Sequence, residues 1–259
     1  MRWLSLFLLP LGFALSSCTT GSYDLMGTAS VSPRFEDTDP QHFDGKTPHR
    51  HEVHGIDVSK WNGEVDWHQV KRSGVAFVFI KATEGKDRLD PRFREYWQGA
   101  SAAGIPHAAY HFYYFCSTAD EQADWFIQNV PREANQLPPV LDVEWNPSSP
   151  TCRLRPDAAT VRREMQRFSE RIAAHYGKRP IIYTSVDFHR DNLEGAFQDH
   201  HFWVRAVAQH PTEVYPERRW AFWQYTSTGV IPGIGGETDI NVFAGSAKNW
   251  QKWLASVSK

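Results

Sequence analysis

The sequence lacks an excess of either charge: 28 Lys and Arg stand against 30 Asp and Glu, a formal net charge of −2. That excludes the basic surface a nucleic-acid partner requires. There is no glycine-rich phosphate loop and no ligand cluster with metal spacing, so neither an organic cofactor nor a metal ion is expected. His42, His49, His51 and His54 are scattered along a polar segment rather than spaced as a ligand set. No internal repeat of about 20 to 50 residues recurs, which excludes a solenoid. The apolar run from Trp3 to Leu15 is too short to cross a bilayer as a helix.

What is present is a chain of 259 residues, enough for one large domain with a sizeable core. Strands are expected at His54–Ser59, at Val75–Lys81, which is almost wholly apolar as in a helix-covered parallel sheet, and at His107–Phe115. Further strands are expected over 140–145, 180–184 and 201–206. Helices are expected from Pro91 to Ala103, Thr118 to Asn129, Pro156 to Tyr176 with Gly177 closing it, and near 188–197. Near the end the rhythm changes. Strands at 220–226 and 238–243 are separated by Gly/Pro-rich turns with no room for a helix, and Ser246 to Val257 reads as a helix packed on the outside. The fold class is therefore α/β, a modified TIM-like β/α barrel with about five β/α units followed by mostly β-only strands.

The N-terminus reads as a targeting segment. Arg2 followed by Trp3 to Leu15 has the length of a signal-peptide core. Leu15-Ser16-Ser17-Cys18 places small residues before a cysteine and resembles the lipobox of bacterial lipoproteins, in which that cysteine is lipidated. Residues 1–17 are thus expected to be a lipoprotein signal peptide, 18–52 a lipidated Cys18 with a flexible tether, and 53–259 the folded domain. The expected location is the cell envelope, with the membrane reached through the lipid; ordinary secretion is the alternative. Setting Cys18 aside leaves Cys116 and Cys152 in an oxidising compartment, both after barrel strands. A disulfide between them is expected, two free thiols being the alternative.

The stretch Pro138-Pro139-Val140-Leu141-Asp142-Val143-Glu144-Trp145 carries the chemistry. An apolar strand rarely holds carboxylates, and here two stand at i and i+2. Strand alternation puts both on one face, with backbones roughly 6 to 7 Å apart. At that distance two negative charges repel by about 2 to 3 kcal/mol at an effective dielectric near 20, so one is expected to keep its proton near neutral pH. An acid beside a nearby anion is what glycosidic cleavage needs. A structural ion pair with Arg or Lys is the plainer explanation of Asp-x-Glu taken alone.

The rest of the chain weighs against the plainer one. Gly55-Ile56-Asp57-Val58-Ser59-Lys60-Trp61-Asn62-Gly63, Ile80-Lys81-Ala82-Thr83-Glu84-Gly85, Tyr110-His111-Phe112, Leu141-Asp142-Val143-Glu144, Tyr183-Thr184, Trp223-Gln224-Tyr225-Thr226 and Asp239-Ile240-Asn241-Val242-Phe243 come in the order found in family-25 glycoside hydrolases, the bacterial and phage muramidases, which this chain resembles. The resemblance implies cleavage of the β-1,4 bond between N-acetylmuramic acid and N-acetylglucosamine in peptidoglycan glycan strands, by a monomer without a cofactor. It implies Glu144 as proton donor, with Asp142 assisting the substrate acetamido group or supporting developing positive charge, and Asp57 and Asp239 as further groove carboxylates. Lys81, Tyr110, Phe112, Tyr183 and Gln224 match positions lining the sugar groove, although each also suits barrel filling. The chain's 11 Trp and 14% aromatic residues suit ring stacking and core packing alike.

Residues 185–219 fit the resemblance poorly. Arg205 in particular stands where the family pattern has an aromatic or small residue. Two other functions remain open: a peptidoglycan-binding lipoprotein without turnover, against which all four carboxylates argue, and a chitinase-like activity, whose usual longer Asp-x-x-Asp-x-Asp-x-Glu run is absent.

Overall fold

The computed structural model describes residues 34–133 and 136–257, so the expected signal peptide 1–17 and the lipidation site Cys18 lie outside the described residues. The strands are β1 (Glu36–Asp37), β2 (His54–Val58), β3 (Val78–Glu84), β4 (Arg88–Leu89), β5 (His107–Phe112), β6 (Val140–Val143), β7 (Ile181–Thr184), β8 (Phe202–Arg205), β9 (Phe222–Val230) and β10 (Glu237–Phe243). The helices are α1 (Trp67–Arg72), α2 (Phe93–Ala102), α3 (Ala119–Asn129), α4 (Ala158–Tyr176), α5 (Val186–Asn192), α6 (Pro211–Val214) and α7 (Ala247–Val257).

Eight strands close into a mixed barrel in the order β2-β3-β5-β6-β7-β8-β9-β10, and β10 returns to β2. The neighbours from β2 round to β9 are parallel, each pair joined by a helix-bearing crossover; β10 runs antiparallel to both its neighbours because only a turn separates it from β9.

Period-two alternation divides the apolar side chains into two layers. Phe77, Phe79, Tyr110, Val140, Ile181, Tyr183, Trp203, Phe222 and Phe243 point into the barrel. Ile56, Val78, Ile80, Leu141, Val143, Ile182 and Val204 point outward against Phe93, Trp97, Phe126, Val161, Met165, Phe168 and Ile172 of the helices. Each such side chain contributes about 1.5 to 3 kcal/mol by leaving water. The phase that sends Leu141 and Val143 outward sends Asp142 inward. Gly55 leaves room for the filling, since a Cβ there would stand 2.5 Å from the Phe77 ring.

Local signals account for the helix ends. Thr118 and Glu121 form a reciprocal capping box before α3. Asp157 caps α4 through Thr160 N at 3.0 Å, so the helix starts at Ala158 rather than at Pro156, and Gly177 ends it at φ 72°. Cys116 and Cys152 are disulfide-bonded, tying the segment after β5 to the one after β6.

Two expectations need correction. Residues 34–52 do not behave as a flexible tether: β1 pairs with the outer end of β9, Phe35 and Phe43 are buried, and the Phe43 ring meets Trp223 edge-on at 5.0 Å. With no helix between β9 and β10 that flank carries aromatic surface, and the segment covers it. Helix α7 does more than pack outside: Trp250 joins the interior cluster of Phe77, Phe222 and Phe243 at the end where β10 finishes, closing that mouth of the barrel.

Candidate active site

With the N-terminal mouth filled by Trp250 and its neighbours, the barrel opens, among the described residues, at the carboxyl ends of its parallel strands. There a cleft of about 400 Å³ is lined by Asp57, Ser59, Trp61, Lys81, Tyr110, Phe112, Asp142, Glu144, Tyr183, Trp203, Arg205, Gln224 and Asp239. Every catalytic and sugar-groove residue expected from the sequence reaches it.

Asp57 and Asp239 are direct cross-strand partners on β2 and β10, so their side chains share a face. Asp57 Oδ2 accepts from Gln224 Nε2 at 2.9 Å and from Asn241 Nδ2 at 2.8 Å. Both amides are themselves oriented. Tyr183 Oη donates to Gln224 Oε1 at 2.9 Å, and Trp203 Nε1 donates to Asn241 Oδ1 at 2.6 Å. One network from five strands thus forms the cleft floor. Tyr183 and Gln224, expected as sugar contacts, spend their polar atoms on it, and Tyr110 lines the cleft while largely buried.

Asp142 extends into the cleft at only 6% exposure, and its Oδ1 is buried without a hydrogen-bond partner. Glu144 follows just past the end of β6 and is more open to solvent. Burial raises the Asp142 pKa well above the ordinary carboxylate range, and the Glu144 charge raises it further. Burial also raises Glu144, against the opposing influence of Arg205 and Lys81. Asp57 is pushed up to about 6 by burial, partly offset by its two amide donors. Asp239 is pushed up to about 8 by burial and by Asp57. Four carboxylates crowd one low-dielectric opening and do not all ionise at neutral pH.

Lys81 sits at the rim, its Nζ 2.8 Å from Glu84 Oε2 and 4.7 Å from the centre of the Phe112 ring. Tyr114 Oη donates to the other Glu84 oxygen at 2.9 Å. Trp61 is 84% exposed at the cleft mouth, with Lys60 Nζ 4.7 Å from its ring centre. An indole face open to water beside a cleft is a stacking surface.

Asn241, Trp61, Trp203 and Arg205 had no assigned role in the sequence reading. Asn241 stands at i+2 from Asp239 and Arg205 at i+2 from Trp203, so strand alternation already placed each on the interior face. Trp61 follows the strand in a turn, where alternation says nothing.

The raised Asp239 pKa has a thermodynamic consequence. The folded chain keeps a proton on Asp239 that the unfolded chain releases near pH 4, so its contribution to stability is intact below that pH and is lost as pH rises toward about 8. Asp239→Asn removes this loss. We expect the variant to melt about 5 °C above wild type at pH 8, on the order of 1 to 2 kcal/mol, with the difference vanishing at pH 4. Calorimetry at both pH values checks it; equal shifts at the two would contradict it.

A family model for glycosyl hydrolases family 25 matches residues 56–234. Lysozyme M1 of Streptomyces globisporus is 37% identical over 203 residues, covering 75% of this chain and 69% of that protein. The Escherichia coli K12 protein YegX is 33% identical over 219 residues, 83% of this chain and 78% of its own. A family 25 glycosyl hydrolase from Bacillus anthracis superposes with a TM-score of 0.72 at 32% identity, over 84% of this chain and 98% of that one.

Proposed function

This chain belongs to glycosyl hydrolase family 25, and from that premise we propose that it hydrolyses peptidoglycan as an N-acetylmuramidase, with Glu144 as general acid. The protein is a glycosidase of the lysozyme family. The observation that carries the assignment of roles is that Asp142 and Glu144 emerge on one side, into one open cleft.

Glu144, the more open of the pair, reaches the scissile oxygen and donates its proton as the C1–O bond breaks, so the leaving sugar departs as an alcohol. Asp142 and Glu144 titrate as a unit, and the proton resides on whichever carboxyl receives fewer donors. Asp142 Oδ1, buried and unpartnered, is the oxygen that an acetamido N–H would satisfy. That hydrogen bond favours the charged form of Asp142 and leaves the proton on Glu144. The acetamido carbonyl, oriented by Asp142, then attacks C1; alternatively Asp142 supports the cationic centre directly. Water, deprotonated by Glu144, completes hydrolysis with retention and restores the acid. Asp57, which ionises at about pH 6, holds negative potential near the cationic centre, protonated Asp239 faces it across the strands, and Trp61 and Phe112 offer ring faces to the sugars.

The non-catalytic envelope-binding alternative is disfavoured by the intact carboxylate set and its raised pKa values. The leader Arg2 to Leu15 and the Leu15-Ser16-Ser17-Cys18 motif support export and lipid anchoring at Cys18 to the cell envelope, and the Cys116–Cys152 bond suits an oxidising compartment. Digestion of purified walls, borohydride reduction and mass analysis test the activity: reduced muramic acid at the new chain ends is expected, and reduced glucosamine ends or no soluble product would overturn it.

A further inference from the structure

Arg205 stands at the carboxyl end of β8 among the cleft-lining side chains. Its backbone is pinned from both neighbouring strands. Tyr215 Oη lies 2.6 Å from the Arg205 carbonyl and 3.0 Å from that of Thr184 on β7, and Ala206 N donates to Gln224 O on β9 at 3.0 Å. Trp223 Nε1 holds the Ala206 carbonyl at 2.8 Å. The side chain is different: among the described residues its guanidinium makes no hydrogen bond and no ion pair. The other cleft cation, Lys81, is engaged with Glu84. Glu144, Asp57 and Asp239 are near enough for the Arg205 charge to act on each, yet none pairs with it.

A guanidinium carries five donors in a planar fork that matches a carboxylate bidentately. Neutral sugar hydroxyls do not call for a full cation, whereas an anionic substituent entering a cleft lined by four carboxylates does. On the peptidoglycan reading, the muramoyl residue brings such a group. Its lactyl arm ends in a free carboxylate when the stem peptide has been removed; otherwise it is amide-linked to a peptide with carboxylates of its own.

We propose that Arg205 is a specificity-determining residue that binds a carboxylate carried on the lactyl arm of the muramoyl residue, so that the enzyme selects glycan by the charge of that arm. This rests on the peptidoglycan hydrolase assignment, and binding rather than turnover tests it. On a Glu144→Gln background, calorimetry compares Arg205 with Arg205→Gln and Arg205→Lys. Three tetrasaccharides of alternating N-acetylglucosamine and N-acetylmuramic acid serve as probes: peptide-free, peptide-free with the lactyl carboxyls converted to methylamides, and carrying stem peptides. We expect Arg205→Gln to raise Kd about tenfold for a carboxylate-bearing probe and less than twofold for the methylamide, with Arg205→Lys in between. A rise confined to the peptide-free probe assigns the anion to the lactyl carboxyl; a rise confined to the peptide-bearing probe assigns it to the stem. Equal rises with the carboxylate and methylamide probes, or no rise with any probe, would overturn the proposal. Turnover of the same probes by the wild-type enzyme reads the hydrolase assignment separately, so the two fail in distinguishable ways.

Discussion

Glu144→Gln should lower kcat on peptidoglycan by about 10³-fold while leaving KM and the melting temperature close to wild type. The amide keeps the size of the carboxyl but has no acidic proton to give. Glu144 lies beyond the end of β6 and is half-buried at the cleft, outside both apolar layers, so no core contact is lost. Release of reducing ends from purified walls gives kcat, and circular dichroism against temperature checks the fold. Wild-type-like turnover would remove Glu144 as the acid, and a collapse in melting temperature would mean that its role is structural.

The second large effect is on Asp142. Asp142→Asn should reduce kcat/KM by about 10²- to 10³-fold, since either role, orienting an acetamido group or supporting a positive centre, needs the charge. The variant should also shift the basic limb of the pH–rate profile to lower pH. The sign follows from like-charge repulsion: an ionised neighbour makes it harder for Glu144 to lose its proton, so removing that charge lets Glu144 ionise at lower pH. Residual activity followed across pH gives the limb directly. An unmoved limb would show that the two carboxyls do not share a proton.

The parts of the site that alternate along strands were legible in the sequence. The i, i+2 spacing of Asp142 and Glu144 suffices to send both inward, and the same spacing relates Asp57 to Ser59 and Asp239 to Asn241. That Asp57 and Asp239 face each other depends on barrel closure, which the sequence suggested only through the barrel that the family resemblance implied. Other features left no periodic trace. Helix α1 has six residues, too few to repeat an apolar face. Residues 34–52 are mostly polar, and two buried phenylalanines among them set no period. The dual use of Tyr183 and Gln224 is a matter of which atom meets which: both reach the cleft as expected, but their polar atoms belong to the network that holds Asp57. Arg205 was visible as a departure from a pattern, and its meaning came only from seeing its donors left open.

The same crowding that raises these pKa values is a cost to the fold at neutral and alkaline pH, as the Asp239→Asn comparison reads out. An active site made of buried carboxylates is thereby less stable than a neutral one of the same shape. The reward is a proton still held near neutral pH.

The proton itself is the quantity to measure. Carboxyl carbons of Asp142 and Glu144, labelled with 13C and titrated by NMR in the wild type and in the single variants Asp142→Asn and Glu144→Gln, report its location. We expect the wild-type pair to keep one proton above the ordinary carboxylate range and Asp142 to titrate lower once Glu144 is neutral. Two carboxyls that both ionise in the ordinary range, with neither responding to loss of the other, would contradict the shared proton on which the catalytic assignment depends.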